Sequence, residues 1–372
     1  MKRFDNRTVI VTAVHLLPAI LLGAAACTSA PAQTPPAMDR AAAAPEAKAA
    51  VSAQWVRRAP LPERRFEVNA TTDGRYLYLA GGFGPPAGGQ LRTAPRTLWR
   101  YDPQADRWSR LTEIPQGVNH APFQYHDGRL YILGGFREDN FEPVGHVRIY
   151  DLATGRWSEG APMPTPRGAT GWTVLNARIH VIGGQTTGPD AVRGQPGARI
   201  TGDIGSVNVH TVNVHEAYDP ATDSWTRLAP MPTPRNHLGA AALDGRIHAV
   251  LGRAGDNFIM TTHEVYDPAT DSWSAGPSVP TGRSGVAVLA LGGRVYAFGG
   301  EVPPIGSATE RTFDDAERFD PRANRWERLP PMPTGRHGVG AAAVDGSIYL
   351  VSGGPTAGIS SSDVNERLDV RE

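Results

Sequence analysis

The sequence predicts an all-β fold made of six copies of one four-stranded antiparallel sheet, and three recurrences carry that prediction. First, an aromatic residue precedes a tryptophan by seven positions in every internal copy: Tyr101 and Trp108, Tyr150 and Trp157, Tyr218 and Trp225, Tyr266 and Trp273, Phe319 and Trp326. Second, glycine pairs end the second strand at Gly81-Gly82, Gly134-Gly135, Gly183-Gly184, Gly299-Gly300 and Gly353-Gly354, with Gly252-Arg253 as the one broken copy. Third, turn dipeptides fall between the apolar runs, Asp-Gly at Asp244-Gly245 and Asp-Pro at Asp267-Pro268. Self-similarity at a fixed period of this length marks a repeat architecture.

The copy from Arg235 to Trp273 shows why each strand forms. A small-residue run, Leu238 to Leu243, meets the turn at Asp244-Gly245, where Gly accepts positive φ and Asp satisfies the turn backbone. A second strand, Arg246 to Leu251, ends at Gly252; a polar loop leads to a third strand ending in Tyr266. Proline at position 268 presets the next turn, and Trp273 lies on the fourth strand.

This pattern of Arg, Asp-Gly, Gly-Gly, Tyr-Asp-Pro and Trp resembles the kelch repeat over essentially everything after residue 52. The Trp-Asp signature of WD40 repeats, which share a similar period, is missing. The resemblance implies a six-bladed β-propeller. Trp55 matches the fourth-strand pattern but has no first three strands before it, and the last copy stops at Val370 without a tryptophan strand. The two fragments are therefore expected to complete one blade, which removes the exposed edges of an open array.

Residues 1–27 read as a targeting segment: Lys2, Arg3 and Arg7, an apolar run from Thr8 to Leu22, and small residues up to Cys27. The combination resembles a bacterial lipoprotein signal with Cys27 as the lipidated residue. An ordinary secretory signal with Cys27 incidental is the alternative. Thr28, where aspartate would be associated with inner-membrane retention, implies the outer membrane or periplasm. Residues 28–52 are Ala- and Pro-rich and read as a linker. Cys27 is the only cysteine, so the folded domain is expected to hold no disulfide. A formal net charge of zero without basic runs argues against nucleic acid.

The first strands are the small-residue ones, as in Gly239-Ala240-Ala241-Ala242 and Gly340-Ala341-Ala342-Ala343, and are expected to face the central axis, where blades converge. Tyrosines and tryptophans then fill the wider gaps farther out and are core. The meander places the loop between strands two and three on the same face as the connection from strand four to the next blade.

That face holds the candidate ligand-binding residues. Arginine opens the first strand at Arg65, Arg167, Arg235, Arg283 and Arg336, with Val118 in blade two; beside these stand Asn119, His120, Asn236, His237 and His337. Five guanidiniums in a ring would attract a carboxylate or other anion. The alternative is that these arginines hydrogen-bond backbone carbonyls, since Arg at this place resembles the kelch pattern itself. On the same face the loop Gln185 to Ala217 is 33 residues long where the other copies have 12 to 18, and it carries Gly188, Gly194, Gly197, Gly202, Gly205, Asp190, Arg193, Arg199 and Asp203. It reads either as a lid or partner contact, or as an insertion without a partner.

No metal-binding, nucleophile-elbow, P-loop or Cys-x-x-Cys motif is present. His210 and His215 stand five residues apart and point to opposite faces of a strand, so no shared metal is expected. Galactose oxidase, which contains kelch-like repeats, needs a cysteine-modified tyrosine, and no cysteine follows Cys27 to supply one. The expectation is an envelope-anchored monomer without cofactor, binding a protein or anionic glycan. The alternative is an enzyme similar to the periplasmic kelch mutarotases of sialic acid, with Glu67, Glu138, Asp139, Asp256 and Glu301 as candidate acids.

Overall fold

Six four-stranded antiparallel sheets follow one another along the chain and build the six-bladed β-propeller that the repeats predict. The computed structural model describes residues 52–371 apart from 88–92, 138–140, 188–199, 203–208, 256 and 303–310. The predicted targeting segment with Cys27, and the linker up to residue 51, lie outside the described residues, as do Glu138, Asp139, Asp256 and most of the long loop after Gln185.

Blade four shows the pattern: Gly239–Leu243, Arg246–Val250, His263–Asp267 and Ser272–Ala275 pair in that order. The turn between its first two strands has positive φ at both Asp244 (49°) and Gly245 (73°), the hairpin geometry whose twist matches the flanking strands. First strands do stand innermost, and those of neighbouring blades touch one another and line a channel of about 540 Å³. The expectation of small side chains fails in blades two and three, where Gln124 and Trp172 line the channel.

The recurrent Tyr-Asp-Pro…Asp-x-Trp string is more than core filling. In blade four the Tyr266 hydroxyl donates to Asp271 (2.7 Å), whose carboxylate accepts the Ala229 amide of the preceding blade (2.9 Å). Trp273 Nε1 then donates to the Ala229 carbonyl at 2.8 Å. Tyr218, Asp223 and Trp225 clasp Ala161 in the same way, and Tyr101, Asp106 and Trp108 clasp Ala59. The seven-residue interval is thus the span that lets one turn grip both polar atoms of one residue in the preceding blade.

A second link joins the inner parts of the blades. The amide of the second glycine position donates to the carbonyl of the residue opening the next blade: Gly82 to Val118, Gly135 to Arg167, Gly184 to Arg235, Gly252 to Arg283, Gly300 to Arg336, and Gly353 to Arg65, at 2.9 to 3.0 Å in the last two. This sixfold circuit corrects the glycine reading. Blade six uses Ser352-Gly353, not Gly353-Gly354, and blade four uses Leu251-Gly252; Leu251 and Ser352 both adopt φ of 63°. Two copies, not one, therefore lack a glycine at the first position.

Closure follows the prediction. Ser52–Arg57 pairs antiparallel with Asn365–Arg371 as the outermost strand of the sixth sheet, and Trp55 stands opposite Leu368, which occupies the position taken elsewhere by tyrosine.

Candidate functional site

The five arginines do not form an open ring. All are fully buried inside their own blades. Arg235 donates to the carbonyls of Leu251 and Thr262, both at 3.0 Å, and pairs with Glu264 at 2.8 Å. Arg283 pairs with Glu317 and Arg336 with Glu366, both at 2.7 Å; Arg167 pairs with Glu216 and Arg65 with Glu63. Each also donates to backbone carbonyls next to the glycine pair, such as Arg65 to Gly81 (3.1 Å) and Arg167 to Gly183 (2.9 Å). The backbone-bonding alternative is therefore what the geometry shows, and the expected cationic rim is corrected. The side chains turn into the blade because four buried carboxylates wait there on third strands, at Glu216, Glu264, Glu317 and Glu366, and blade one supplies Glu63 from its entry segment. Blade two confirms the coupling: where Val118 replaces arginine, the third-strand position carries Arg148 instead of glutamate, and Arg148 donates to Gln116 at 2.9 Å.

Two residues beyond each of these positions the chain kinks into the left-handed region: Glu67 (φ 51°), His120 (51°), Ala169 (54°), His237 (51°), Gly285 (67°) and Gly338 (58°). Neighbouring kinks are stitched by backbone hydrogen bonds, from Ala169 to His120 (3.0 Å), His237 to Ala169 (2.8 Å), Gly285 to His237 (2.9 Å) and Gly338 to Gly285 (2.9 Å). All six residues line the channel. The kink is what turns position two inward after the arginine has turned away.

Short bridges settle which loops share this mouth. The residue between arginine and kink pairs with the one following the glycine pair, as in Phe66 with Phe83, Asn236 with Arg253, Ser284 with Glu301 and His337 with Gly354. The connections between blades and the loops between strands two and three therefore lie on one face, as the meander predicts. Part of the long blade-three loop is structured, with Gln185–Thr187, Val209–Val212 and Ile200–Gly202 forming a three-stranded antiparallel sheet. Buried Thr211 of that sheet accepts a hydrogen bond from the Asn236 amide at 2.5 Å.

The polar side chains brought together here are Glu67, His120, His237, His337, Glu301 and Arg253. His120 Nε2 stands 3.4 Å from Glu67 Oε2, and His337 Nδ1 lies 3.2 Å from Glu67 Oε1 and 3.6 Å from Glu301 Oε2. Arg253 reaches Glu301 at 3.2 Å and His237 Nε2 at 3.2 Å, and the Gly358 amide donates to Glu301 at 2.8 Å. The Asn119 and Asn236 carbonyl oxygens each face the Nδ1 of the following histidine at 2.6 Å. Burial pushes the Glu67 carboxyl up, but His120 and the His337 hydrogen bond outweigh it and hold it well below the usual carboxylate range. Burial pulls His337 down, yet Glu301 and Glu67 together raise it. For His237 burial and the nearby Arg253 act together and keep the imidazole neutral.

Of the predicted site residues, then, Asn119, His120, Asn236, His237 and His337 converge at the mouth, joined by Glu67 and Glu301 from the candidate acids. Arg65, Arg167, Arg235, Arg283 and Arg336 do not. Arg253 escaped notice because it was counted as the second member of the glycine pair, whereas it follows Leu251-Gly252 and bridges to Asn236. His210 and His215 do not share one strand as expected: His210 lies on Val209–Val212 of the small sheet, and His215 on His215–Asp219 of blade three, where Nδ1 of His180 stands 2.9 Å from Nε2 of His215, as Nδ1 of His248 does from Nε2 of His263 in blade four.

A family model described as the Kelch motif matches residues 64–115, 120–164 and 282–333. Among curated proteins, the chain is 25% identical over 309 residues to "Kelch-like protein terF" of Aspergillus terreus, covering 81% of this chain and 63% of that protein. It is 26% identical over 307 residues to human "Kelch-like protein 34", covering 81% of this chain and 36% of that protein. It is 27% identical over 256 residues to "Kelch-like protein 36" of Bos taurus, covering 56% and 39%. The chain thus spans less than two thirds of the length of each of these relatives.

Proposed function

The chain belongs to the kelch-repeat family, and from that premise we propose that it is a protein-interaction module whose recognition surface is the channel-mouth face. The observation that carries this reading is the asymmetry between the two faces. The opposite face ends in tight turns such as Asp244-Gly245, whereas the mouth face carries the long loops and the extra small sheets, including Glu301–Val302 with Arg311–Thr312. Its loops also bear Ile259 and Ile359, 61% and 50% exposed, the large apolar side chains most open to water among the described residues. Exposed apolar anchors on loops held by a rigid scaffold are the usual equipment for binding.

Site-specific photo-crosslinking in the native host tests it. A crosslinker at Ile259 or Ile359 is expected to give a discrete protein adduct that one at Asp244 does not. Equal labelling from both faces, or none from the mouth, rejects the assignment.

The amino-terminal pattern adds an address to this reading: export, with lipidation at Cys27 and display at the outer membrane or in the periplasm. Fatty-acid labelling that is lost in Cys27→Ala supports it, and an unlabelled mature protein refutes it. A second reading, a mutarotase of anionic sugars, gains support from Arg253, a partly exposed guanidinium in contact with Glu301 and His237, because the three supply acid/base groups next to an anion holder. Faster anomer exchange of a sugar acid, seen by NMR, is its test.

A further inference from the structure

We propose that Glu67, His120 and His237 form a binding site for one divalent transition-metal ion at the mouth of the channel, of the borderline class that takes imidazole and carboxylate ligands, such as zinc or cobalt. One oxygen of Glu67 and one ring nitrogen from each histidine all lie within 4.8 Å of one another. Ligands held about 2.1 Å from a tetrahedral ion stand roughly 3.4 Å apart, so modest side-chain rotation completes the site.

Three features point to a ligand and not to packing. The first is conformational. Blades five and six meet the kink with Gly285 and Gly338, which bear positive φ without cost, while Glu67, His120 and His237 hold it as bulky non-glycine residues and blade three holds it with the small Ala169. A non-glycine residue held there is strained, and strain of that kind gathers at ligand clamps.

The second is orientation. The Asn119 amide is fixed by donating to the Phe136 carbonyl (3.3 Å), so its oxygen must face His120 and take the Nδ1 proton; Asn236, anchored on Thr211, does the same for His237. Both Nε2 atoms are thereby directed at the cluster, the outer support that metal-binding histidines ordinarily have.

The third is charge. Glu67 brings a largely buried carboxylate to within 3.4 Å of His120 Nε2, and its negative charge offsets that of a cation held between the two. Gly338 keeps the space for that carboxylate, since a Cβ there would lie 2.7 Å from Glu67 Cδ. The neighbouring set of Glu67, Glu301 and His337 also converges, but there the carboxylate of Glu301 already accepts from Arg253 and Gly358, and His337 Nδ1, the nitrogen that faces both carboxylates, bonds Glu67.

Arg253 is the gate. Its guanidinium occupies His237 Nε2 at 3.2 Å and must retreat onto Glu301 when the ion enters. A positive charge so close to a ligand atom opposes the metal, so its removal tightens binding, on the order of tenfold.

Untagged protein stripped with chelator and titrated with Co²⁺ tests the site. One equivalent is expected to bind with the intense visible bands of a four- or five-coordinate ion, displaced by Zn²⁺. Glu67→Gln and His237→Gln each weaken binding at least tenfold, and Arg253→Gln strengthens it while leaving the fold intact. A hexaaqua cobalt spectrum in the wild-type protein overturns the proposal, as does unchanged affinity in folded His120→Gln/His237→Gln. Unchanged or weaker binding in Arg253→Gln overturns the gate.

Discussion

Trp55 Nε1 donates to the carbonyl of Pro330 at 3.1 Å, a contact between residues 275 positions apart, and its ring stands edge-on to Phe298 with centroids 6.0 Å apart. Trp108, Trp225, Trp273 and Trp326 make the same bond to the blade before them, Trp326 to Pro277 at 3.1 Å, whereas Trp157 Nε1 is buried without one among the described residues. The first strand of the fold therefore performs the last inter-blade contact, and the ring is locked by a residue that precedes all the other blades along the chain.

Closure of this kind makes the amino-terminal strand indispensable. Trp55→Ala is expected to destabilise by about 2–4 kcal/mol, since it removes a half-buried aromatic together with its hydrogen bond. Deletion of residues 53–60 leaves the strand Asn365–Arg371 as an open edge, for which aggregation is the expected outcome. Thermal melting with light scattering reads both; an unchanged transition in the truncated protein refutes the role given to Trp55.

The buried arginines make a prediction opposite to that of a ligand-binding rim. Arg235→Ala leaves Glu264 as an uncompensated carboxylate in the blade and is expected to cost about 3–5 kcal/mol, while Arg235→Met/Glu264→Leu recovers most of the loss. Denaturant unfolding measures both. A stable Arg235→Ala protein would return these residues to the pool of recognition candidates.

Acid should weaken the fold through the histidine pairs of blades three and four. Burial lowers His180 and His248 to about 4 and, with the neighbouring His248, His263 to about 3, and it holds His215 well below the ordinary value. Unfolded chains bind these protons from about pH 6.5 downward, so the unfolded state gains protons first and stability falls as pH drops from 6.5 towards 3. Replacing His263 and His248 with phenylalanine and leucine is expected to flatten that slope. Denaturant midpoints between pH 7 and 4 give the answer, and an unchanged slope excludes the pair as its source.

Most of the fold was legible because a repeat displays its own strand boundaries six times over, and Trp55 could be assigned by pattern alone. The arginine direction was not legible in the same way. Position in a connecting segment says nothing about whether a side chain turns into the blade or into the channel, and the left-handed kink two residues later separates those fates. A signal existed nonetheless: a glutamate two residues before the third-strand aromatic, at Glu216, Glu264 and Glu317, and before Leu368 at Glu366, lies on the same inward side as that residue. A charge on that buried side requires a partner. The cluster at the mouth was only half legible, because Glu67, His120, His237 and Arg253 come from three blades and no spacing along the chain records their meeting.

Gly338 offers the sharpest test of how that mouth is built. A Cβ at this residue would lie 2.6 Å from the Glu67 amide and 2.7 Å from its Cδ, so Gly338→Ala must displace Glu67 and disturb the seam between blades six and one. At Gly285 the backbone is equally left-handed (φ 67°), but the nearest atoms to a Cβ are 3.6 Å away. Gly285→Ala therefore bears only the conformational term, about 1 kcal/mol, while Gly338→Ala adds a steric clash and is expected to lose about 2–4 kcal/mol. Because His337 is raised by Glu67 and Glu301, moving Glu67 should also lower the titration midpoint of His337 as followed by NMR, and Gly285→Ala should not. Equal destabilisation by the two substitutions, with His337 unmoved in both, would show that the Glu67 carboxylate does not depend on the space left by Gly338.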